Sequence, residues 1–247
     1  MMAPKYEERW RRELRLQSAR LEAMTSDEWQ ASIAGRALPL WPTLSDGDWK
    51  GGPCFIVGGG PSLKGFDFLR LPESRTIVIN RAFESMPWAA ILFSMDSFYY
   101  REASRKPETD PGRFPGVKVW LDTHGFPYKD ILLVKSRGEC GLSESLELGL
   151  YHGANSGYGA VGLATCLGAN PIYLLGFDMS FNGPLEHFHS GYAMKTGREK
   201  VMRYIKNFEA LAPLLADRGI QVVNLSPVSA LKCFEEAPVD GLGGVLQ

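Results

Sequence analysis

Three consecutive glycines follow a short apolar run and precede a proline and a serine. The run is Cys54–Val57 and the motif is Gly58-Gly59-Gly60-Pro61-Ser62. Glycines permit a tight turn and a close approach of backbone to a ligand, and Pro61 suits the first position of a helix. Backbone N–H groups in such a turn favour an anion, above all a phosphate. The motif lacks the glycine spacing of the dinucleotide fingerprint and of the P-loop, so it predicts a phosphate site outside those two classes. A purely structural turn is the alternative.

A second unit with candidate chemistry lies in the middle of the chain. Asn155-Ser156-Gly157 opens a helix pattern, and Gly176-Phe177-Asp178 ends the strand pattern that follows it. Small residues at the start of a helix let another group come close. Asp178 comes just after the carboxyl end of its strand, where open α/β sheets bind ligands. We therefore expect Asp178 to orient a site there; a cap or loop hydrogen bond is the alternative.

Two histidines flank a phenylalanine in Glu186-His187-Phe188-His189-Ser190. An imidazole titrates near neutral pH and is the natural base for removing a proton from a hydroxyl group. His189 is therefore a candidate general base. A metal site shared with Asp178 or Glu186 and ordinary hydrogen bonding within the loop are the alternatives.

Apolar strand patterns alternate with helix patterns along most of the chain. The strands are predicted at 54–57, 76–80, 89–94, 117–121, 131–134, 171–176 and 221–224, and the helices at 157–167, 198–218 and 229–236. The strands lack internal alternation of polar and apolar residues, which indicates burial on both faces. The sequence therefore predicts an α/β fold with a mostly parallel sheet and helices on both faces.

The first 50 residues differ from the rest. Trp10, Leu14 and Leu21 recur near helical spacing within a segment rich in arginine and glutamate, and we predict an N-terminal helical extension over residues 1–50, followed by one domain over 51–247. Acidic and basic residues are interspersed, which disfavours a nucleic-acid contact. The extension is expected to pack on the domain or on a second copy of the chain, forming a homo-oligomer.

The composition is that of an ordinary globular protein, with 45% hydrophobic and 22% charged residues and a formal net charge of -1. The charge gives no general reason to expect nucleic acid or an anionic membrane as a partner. The charged amino-terminal residues lack the apolar core of a signal peptide, and no stretch is long enough to span a bilayer. We expect a cytoplasmic protein with no membrane span. Cys54 and Cys166 fall in strand and helix patterns and are expected to be buried free thiols.

Three sequence blocks resemble a known group of families: GGGPSL, SGYGAVGLATCLGANPIYLLGFDMSF and VVNLSPVSALKCFEEAP. They are similar to the bacterial sialyltransferases of glycosyltransferase family 42, and equally to the motility accessory factors and the 6-hydroxymethylpterin pyrophosphokinase-like proteins. The likeness covers roughly residues 53–238. It implies a Rossmann-like sheet that binds a nucleotide, with the glycine turn near the phosphates or ribose and Asn80 and Ser156 close by.

The resemblance also implies roles for two further positions. His189-Ser190 matches the His-Ser pair that supplies the general base in the sialyltransferases. The pyrophosphokinase-like proteins tend to have an acid at the position of Asp96, which implies a cation or a nucleotide hydroxyl there. The chain departs from the sialyltransferases at Ser180 and Glu186, where they have tyrosines, and at Gly153, where they have an arginine. These departures disfavour CMP-sialic acid as donor and leave another activated sugar or pyrophosphoryl chemistry open.

The function that we favour from the sequence is a nucleotide-dependent transferase, specifically a glycosyltransferase that moves a sugar from a nucleotide-activated donor to a glycan or small-molecule acceptor. His189 would act as base and Asp178 would orient the site, with no metal and no cofactor besides the donor substrate. The nucleotide-binding residues are predicted to be Gly58, Gly59, Gly60, Pro61, Ser62, Asn80, Asp96, Asn155, Ser156, Gly157, Gly176 and Phe177. One alternative is a pyrophosphokinase acting on a hydroxymethyl group, with Mg²⁺ on Asp96, Asp178 or His187. The other is a nucleotide-binding module without catalysis.

Overall fold

A computed structural model describes residues 44–122, 131–180 and 197–242. Within these ranges the chain forms nine strands in one sheet. In chain order they are β1 (Cys54–Val57), β2 (Thr76–Ile79), β3 (Ile91–Ser94), β4 (Val117–Asp122), β5 (Leu132–Gly138), β6 (Leu150–Tyr151), β7 (Ile172–Leu175), β8 (Val222–Asn224) and β9 (Glu235–Glu236).

Every strand pair in the sheet is parallel, and the strands follow the order β6-β5-β4-β3-β2-β1-β7-β8-β9. The central strands β1, β2, β3 and β7 are buried along their whole length, as their continuous apolar sequences require. The predicted Rossmann-like α/β fold is confirmed. The order reverses between β1 and β7, because the chain builds outward from β1 to β6 and then returns to the other side of β1.

Both faces of the sheet are covered. The described ranges contain three α-helices, α1 (Ser97–Ala103), α2 (Ser156–Cys166) and α3 (Arg198–Asp217). Helices α2 and α3 pack on one face, in a core that contains Ile56, Phe93 and Phe208. Helix α1 and several 3₁₀ turns pack on the other face, around Trp120 and Tyr100. Cys54 and Cys166 are buried free thiols, as expected.

Helix α2 packs closely against its neighbours at two of its glycines, where a side chain would not fit. A Cβ atom on Gly159 would lie 2.8 Å from Cζ of Phe93, and one on Gly162 would lie 2.6 Å from Oγ of Ser143. Ten of the helix's eleven residues are buried. Burial on all sides explains why its sequence is apolar throughout rather than amphipathic.

One element predicted from the sequence is wrong. Residues 229–236 form no helix; they are a loop that ends in the two-residue strand β9. The N–H of Ala230 donates to the carbonyl of Asp178 at 2.8 Å, and the N–H of Leu231 donates to Oγ of Ser229 at 3.0 Å. These hydrogen bonds replace the backbone hydrogen bonds that a helix would have formed. Strand β6 was not predicted, because two residues are too few for a pattern.

The predicted N-terminal extension lies outside the described residues up to position 43. The described chain begins at Leu44, which packs with Trp49 against the core on the α2 face. No helix within the described residues is long and apolar enough to cross a membrane.

The tight packing of α2 makes its glycines sensitive to added volume. We expect Gly159→Ala to lower the free energy of unfolding by about 1–3 kcal/mol, because the methyl group meets the buried Phe93 ring. Urea unfolding measures the change. Gly197→Ala is the matched control, since a Cβ atom there would meet nothing within 4 Å. Equal stability of Gly159→Ala and the parent would show that the helix can shift outward freely.

Candidate functional site

The strand order reverses between β1 and β7, and in open α/β sheets such a reversal opens a crevice at the carboxyl edge. Open α/β sheets bind their ligands at this switch point. The glycine turn that follows β1 and the segment Gly176–Asp178 that follows β7 meet there, since β1 and β7 pair from Cys54 and Ile172 through Val57 and Leu175. Two of the segments singled out in the sequence are therefore neighbours in the fold.

The glycine turn is fastened directly to the end of β7. The N–H of Gly58 donates to the carbonyl of Leu175, and the N–H of Gly60 donates to the carbonyl of Gly176, both at 2.8 Å. A Cβ atom would lie 2.8 Å from the Gly176 oxygen at position 58 and 2.6 Å from it at position 60. These two glycines are needed so that the backbones of two strand ends can approach each other.

Asp178 closes this contact through its side chain. Its carboxylate accepts the Ser62 N–H at 2.7 Å and the Ser62 hydroxyl at 2.5 Å. The residue is 4% exposed. Burial raises the pKa of Asp178 above its ordinary 3.8, and the two hydrogen bonds from Ser62 oppose that rise. The anion that the turn holds is thus a carboxylate of the protein itself.

This arrangement leaves few donors in the turn for a ligand. Pro61 has no N–H, and the amides of Gly58, Gly60 and Ser62 are occupied. Within the described residues, the Gly59 N–H makes no hydrogen bond, and Gly59 is half-buried whereas its two glycine neighbours are buried. A phosphate at the crevice would therefore find one amide in the turn rather than a cradle of several.

The loop after β8 fixes the backbone of the β7 end. The N–H of Phe177 donates to Oγ of Ser226 at 2.8 Å, and the hydroxyl of Ser229 donates to the carbonyl of Phe177 at 2.7 Å. Both serines are buried. They were not predicted as site residues, although the hydroxyl-rich block after the last predicted strand was visible in the sequence. Their role is to hold Phe177 and Asp178 in place.

The N-terminus of α2 reaches the same edge of the sheet. Oγ of Ser156 accepts the N–H of Met95, just after β3, at 3.2 Å, and a Cβ atom on Gly157 would lie 2.7 Å from the Phe177 ring. Oδ1 of Asn155 caps the helix by accepting the Tyr158 N–H at 3.0 Å. The amides of Ser156 and Gly157 have no partner among the described residues. Together with the helix dipole they offer an anion two donors at the crevice.

The turn that leads into α2 is strained and anchored. Gly153 and Ala154 have φ values of +52° and +60°. The Asn155 N–H donates to the carbonyl of His152 at 2.9 Å, and the Ala154 N–H donates to Nδ1 of His152 at 2.9 Å. A left-handed alanine costs energy and is retained only where the surroundings impose it.

Helix α3 supplies that anchor. Nδ2 of Asn207 donates to the carbonyl of Gly153 and to Oε1 of Glu139, both at 2.9 Å. Glu139 also forms an ion pair with Arg203, whose Nε lies 2.6 Å from Oε1. Hydrogen bonds from Arg203 and Asn207 hold the pKa of Glu139 at about 2. The start of α2 is thus tied to α3 by a charged network that the sequence did not reveal.

Two other predicted residues lie at neighbouring strand ends. Asn80 follows β2 with φ +49°, and its Oδ1 is a buried acceptor without a hydrogen-bond partner among the described residues. Asp96 follows β3 and caps α1, accepting the Tyr99 N–H at 2.9 Å. Asn80 is therefore an open acceptor, whereas Asp96 already has a structural role.

The structure brings ten further predicted residues to this edge: Gly58, Gly59, Gly60, Pro61, Ser62, Asn155, Ser156, Gly157, Gly176 and Phe177. The predicted histidines His187 and His189 lie outside the described residues. In the described part of the chain, no three His, Cys, Asp or Glu side chains group together as ligands for a metal.

One solved structure with a comparable fold is that of the MAf glycosyltransferase from Magnetospirillum magneticum AMB-1. The two chains are 16% identical and superpose with a TM-score of 0.57 over 87% of this chain. They share a fold. This chain spans 39% of the length of that protein. No family model and no curated protein matches the sequence.

The buried carboxylate of Asp178 gives the fold a specific pH dependence. Because its pKa is raised in the folded protein, the folded state keeps a proton that the unfolded chain has already lost just above pH 3.8. We therefore expect this group's contribution to stability to fall as pH rises from that value to the folded pKa. Asp178→Asn, which is uncharged, should lack this component.

Urea unfolding of both proteins from acidic to neutral pH measures the difference. Asp240→Asn is the control, since Asp240 pairs with Arg70 at an exposed site. If the free energies of unfolding of the parent and of Asp178→Asn change with pH in the same way, the pKa of Asp178 is not raised in the folded protein.

Proposed function

We propose that this protein is a nucleotide-dependent glycosyltransferase whose donor, a nucleotide-activated sugar, binds at the β1–β7 switch point. The observation that carries the proposal is the convergence of open hydrogen-bonding groups at this edge, above all the first-turn amides of α2. The shared fold with a solved glycosyltransferase supports the choice of group transfer. The sequence blocks resemble sugar-transferring families and, equally, the pyrophosphokinase-like proteins, so they support a nucleotide-dependent transferase.

The donor's phosphates would lie at the N-terminus of α2. The Ser156 and Gly157 amides and the positive end of the helix dipole would stabilise negative charge there, and the Gly59 amide would add a third donor. Oδ1 of Asn80 would accept a hydrogen bond from a hydroxyl or amino group of the nucleoside. Desolvated without a partner, this oxygen costs stability in the free protein, and a ligand donor would recover it.

Asp178 acts in this proposal as a positioning residue. Both carboxylate oxygens accept hydrogen bonds from Ser62. In this role the carboxylate holds the turn against β7 through Ser62. We assign the base to another group, His189, which follows β7 in the sequence and lies outside the described residues.

The reaction would be a single displacement or its dissociative equivalent. His189 accepts the proton of the acceptor hydroxyl as the acceptor oxygen bonds to the anomeric carbon of the sugar. The bond between that carbon and the phosphate oxygen breaks, and the nucleotide leaves with the electron pair. The α2 amides stabilise the charge that develops on the leaving phosphate. The tyrosines that do this in the sialyltransferases have no counterpart at Ser180 and Glu186.

The pyrophosphokinase alternative gains no support from the described residues. It requires acidic groups available to Mg²⁺, whereas Asp96 caps α1 and Asp178 holds Ser62. A metal on Asp178 would compete with Ser62 for both carboxylate oxygens.

A nucleotide panel tests the proposal. We expect one of CMP, UDP, GDP and ATP, or its sugar derivative, to raise the melting temperature equally with Mg²⁺ and with EDTA. A ligand at a hundredfold excess over its Kd stabilises by about 2.7 kcal/mol, which thermal-shift measurement detects readily. Stabilisation by ATP that EDTA abolishes would favour the pyrophosphokinase. No shift with any nucleotide would refute nucleotide binding.

Asn80→Gly locates the binding site on the nucleotide that the panel selects. Glycine accepts the left-handed backbone, so folding should be preserved, while loss of one hydrogen bond should weaken binding about two- to twelvefold. Arg75→Gly is the matched control, because Arg75 also has a positive φ but lies before β2, at the opposite edge. Equal affinity of Asn80→Gly and the parent would exclude Asn80 from the site.

Removal of the base should affect turnover alone. We expect His189→Ala to lower kcat by about 10²–10⁴ while nucleotide affinity stays unchanged, since a general base contributes that factor. The assay is sugar transfer or release of the free nucleotide. His187→Ala is the control and should lose far less. Full turnover of His189→Ala would end the general-base assignment, and similar, chelator-sensitive losses in both variants would indicate a shared metal.

A further inference from the structure

The turn that leads into α2 depends on one titratable side chain. Nδ1 of His152 accepts the N–H of Ala154 at 2.9 Å, and within the described residues that N–H has no other acceptor. Because a backbone N–H can only donate, Nδ1 must offer a lone pair, so the imidazole is neutral and has its proton on Nε2. The geometry of the turn is therefore compatible with one protonation state of His152.

The backbone fixes the position of this imidazole. Just after β6, the N–H groups of His152 and Gly153 donate to the carbonyls of Gly138 and Glu139, at 3.1 and 2.8 Å. The backbone of His152 is thus held against the end of β5, and its ring reaches forward to the amide of Ala154, two residues ahead. An asparagine or aspartate side chain accepts the amide two residues ahead in the same way in an Asx-turn.

The charges around His152 leave it as the group that titrates. Burial of the ring lowers the pKa of His152 below its ordinary 6.5; the carboxylate of Glu139 opposes this shift, and the guanidinium of Arg203 on α3 adds to it. Glu139, with a pKa of about 2, stays ionised in neutral and mildly acidic solution, and Arg203 stays protonated. Of these three groups, His152 is therefore the one whose charge changes as the pH falls below 6.5.

Protonation of Nδ1 breaks the contact with the turn. Two N–H donors would then face each other, and the Ala154 amide would lose its acceptor. Ala154 has a φ of +60°, which an alanine keeps only where its surroundings impose it. The turn would relax, and the direction of the Ser156 and Gly157 amides depends on this turn and on the Asn155 cap that follows it.

We propose that His152 is a positioning residue for the amino-terminal end of α2, and that its protonation releases the turn and weakens nucleotide binding. The effect on binding rests on the nucleotide site proposed above, whereas the effect on the turn does not. The added positive charge of a protonated imidazole would by itself favour an anion. A loss of affinity in acid therefore distinguishes release of the turn from a simple charge effect.

Hydrogen exchange in the free full chain tests the turn without a ligand. Exchange rates are compared with the intrinsic rate at each pH, which gives a protection factor for each amide. We expect the protection of the Ala154 amide in the parent to fall about two- to twelvefold between about pH 8 and pH 5, as loss of one hydrogen bond implies.

Two variants separate the acceptor from the proton. In His152→Asn, Oδ1 lies the same number of bonds from Cα as Nδ1 of histidine, accepts an amide and takes up no proton. This variant should keep the amide of Ala154 protected at both pH values. His152→Ala has no acceptor, so protection should be low at both.

Nucleotide affinity is measured in the same three proteins, with whichever of CMP, UDP, GDP and ATP binds the parent. We expect the Kd of the parent to rise about two- to twelvefold relative to that of His152→Asn as the solution is acidified. Phosphate groups of the ligand also titrate near pH 6, as do other groups of the protein, and His152→Asn cancels these contributions because it shares them.

Two results would overturn the proposal. Constant protection of the Ala154 amide in the parent across this pH range would show that the turn does not depend on the proton. A parent affinity that rises in acid relative to His152→Asn would show that the charge of the imidazole outweighs release of the turn. If none of the four nucleotides binds, the proposed function fails alone, and the protection factors still decide the role of His152.

Discussion

The contact between the glycine turn and the end of β7 is the constraint on which the candidate site depends. Two strand ends meet so closely that only glycine fits at positions 58 and 60, and the buried carboxylate of Asp178 fastens the turn through Ser62. A buried charge is tolerated only when hydrogen bonds compensate its lost hydration. Ser62 provides them, while the loop after β8 holds the backbone that presents the carboxylate.

This contact changes the interpretation of the glycine motif, which was expected to contact a ligand directly. The glycines and the acid were expected to contact a ligand, and both do lie at the switch point. Yet most of the amides in the turn and both carboxylate oxygens are used within the protein. The positive end of α2 is the part of the edge that keeps its donors, because Asn155 caps only the third amide of that helix. The turn therefore shapes the crevice, and the helix supplies most of the donors for an anion.

The sequence predicts the parallel sheet well because strands buried on both faces have continuous apolar runs. Of the seven predicted strands only β5 is mostly exposed. The sequence-based prediction fails where hydrogen bonds to residues distant in the chain determine the backbone conformation. Residues 229–231 look helical, but Asp178 and Ser229 take the amides that a helix would use. The link from Asn207 to Gly153 joins residues far apart in the chain, and no local pattern encodes such a contact.

Backbone strain marks the same edge independently. Four non-glycine residues in the described ranges have positive φ values, and three of them, Asn80, Ala154 and Met179, come just after β2, just before α2 and just after β7. Left-handed alanine, asparagine or methionine is held in place only by the surrounding structure. Strained residues of this kind occur where backbone groups must point in fixed directions. Their concentration around the switch point is what a preorganised binding edge requires.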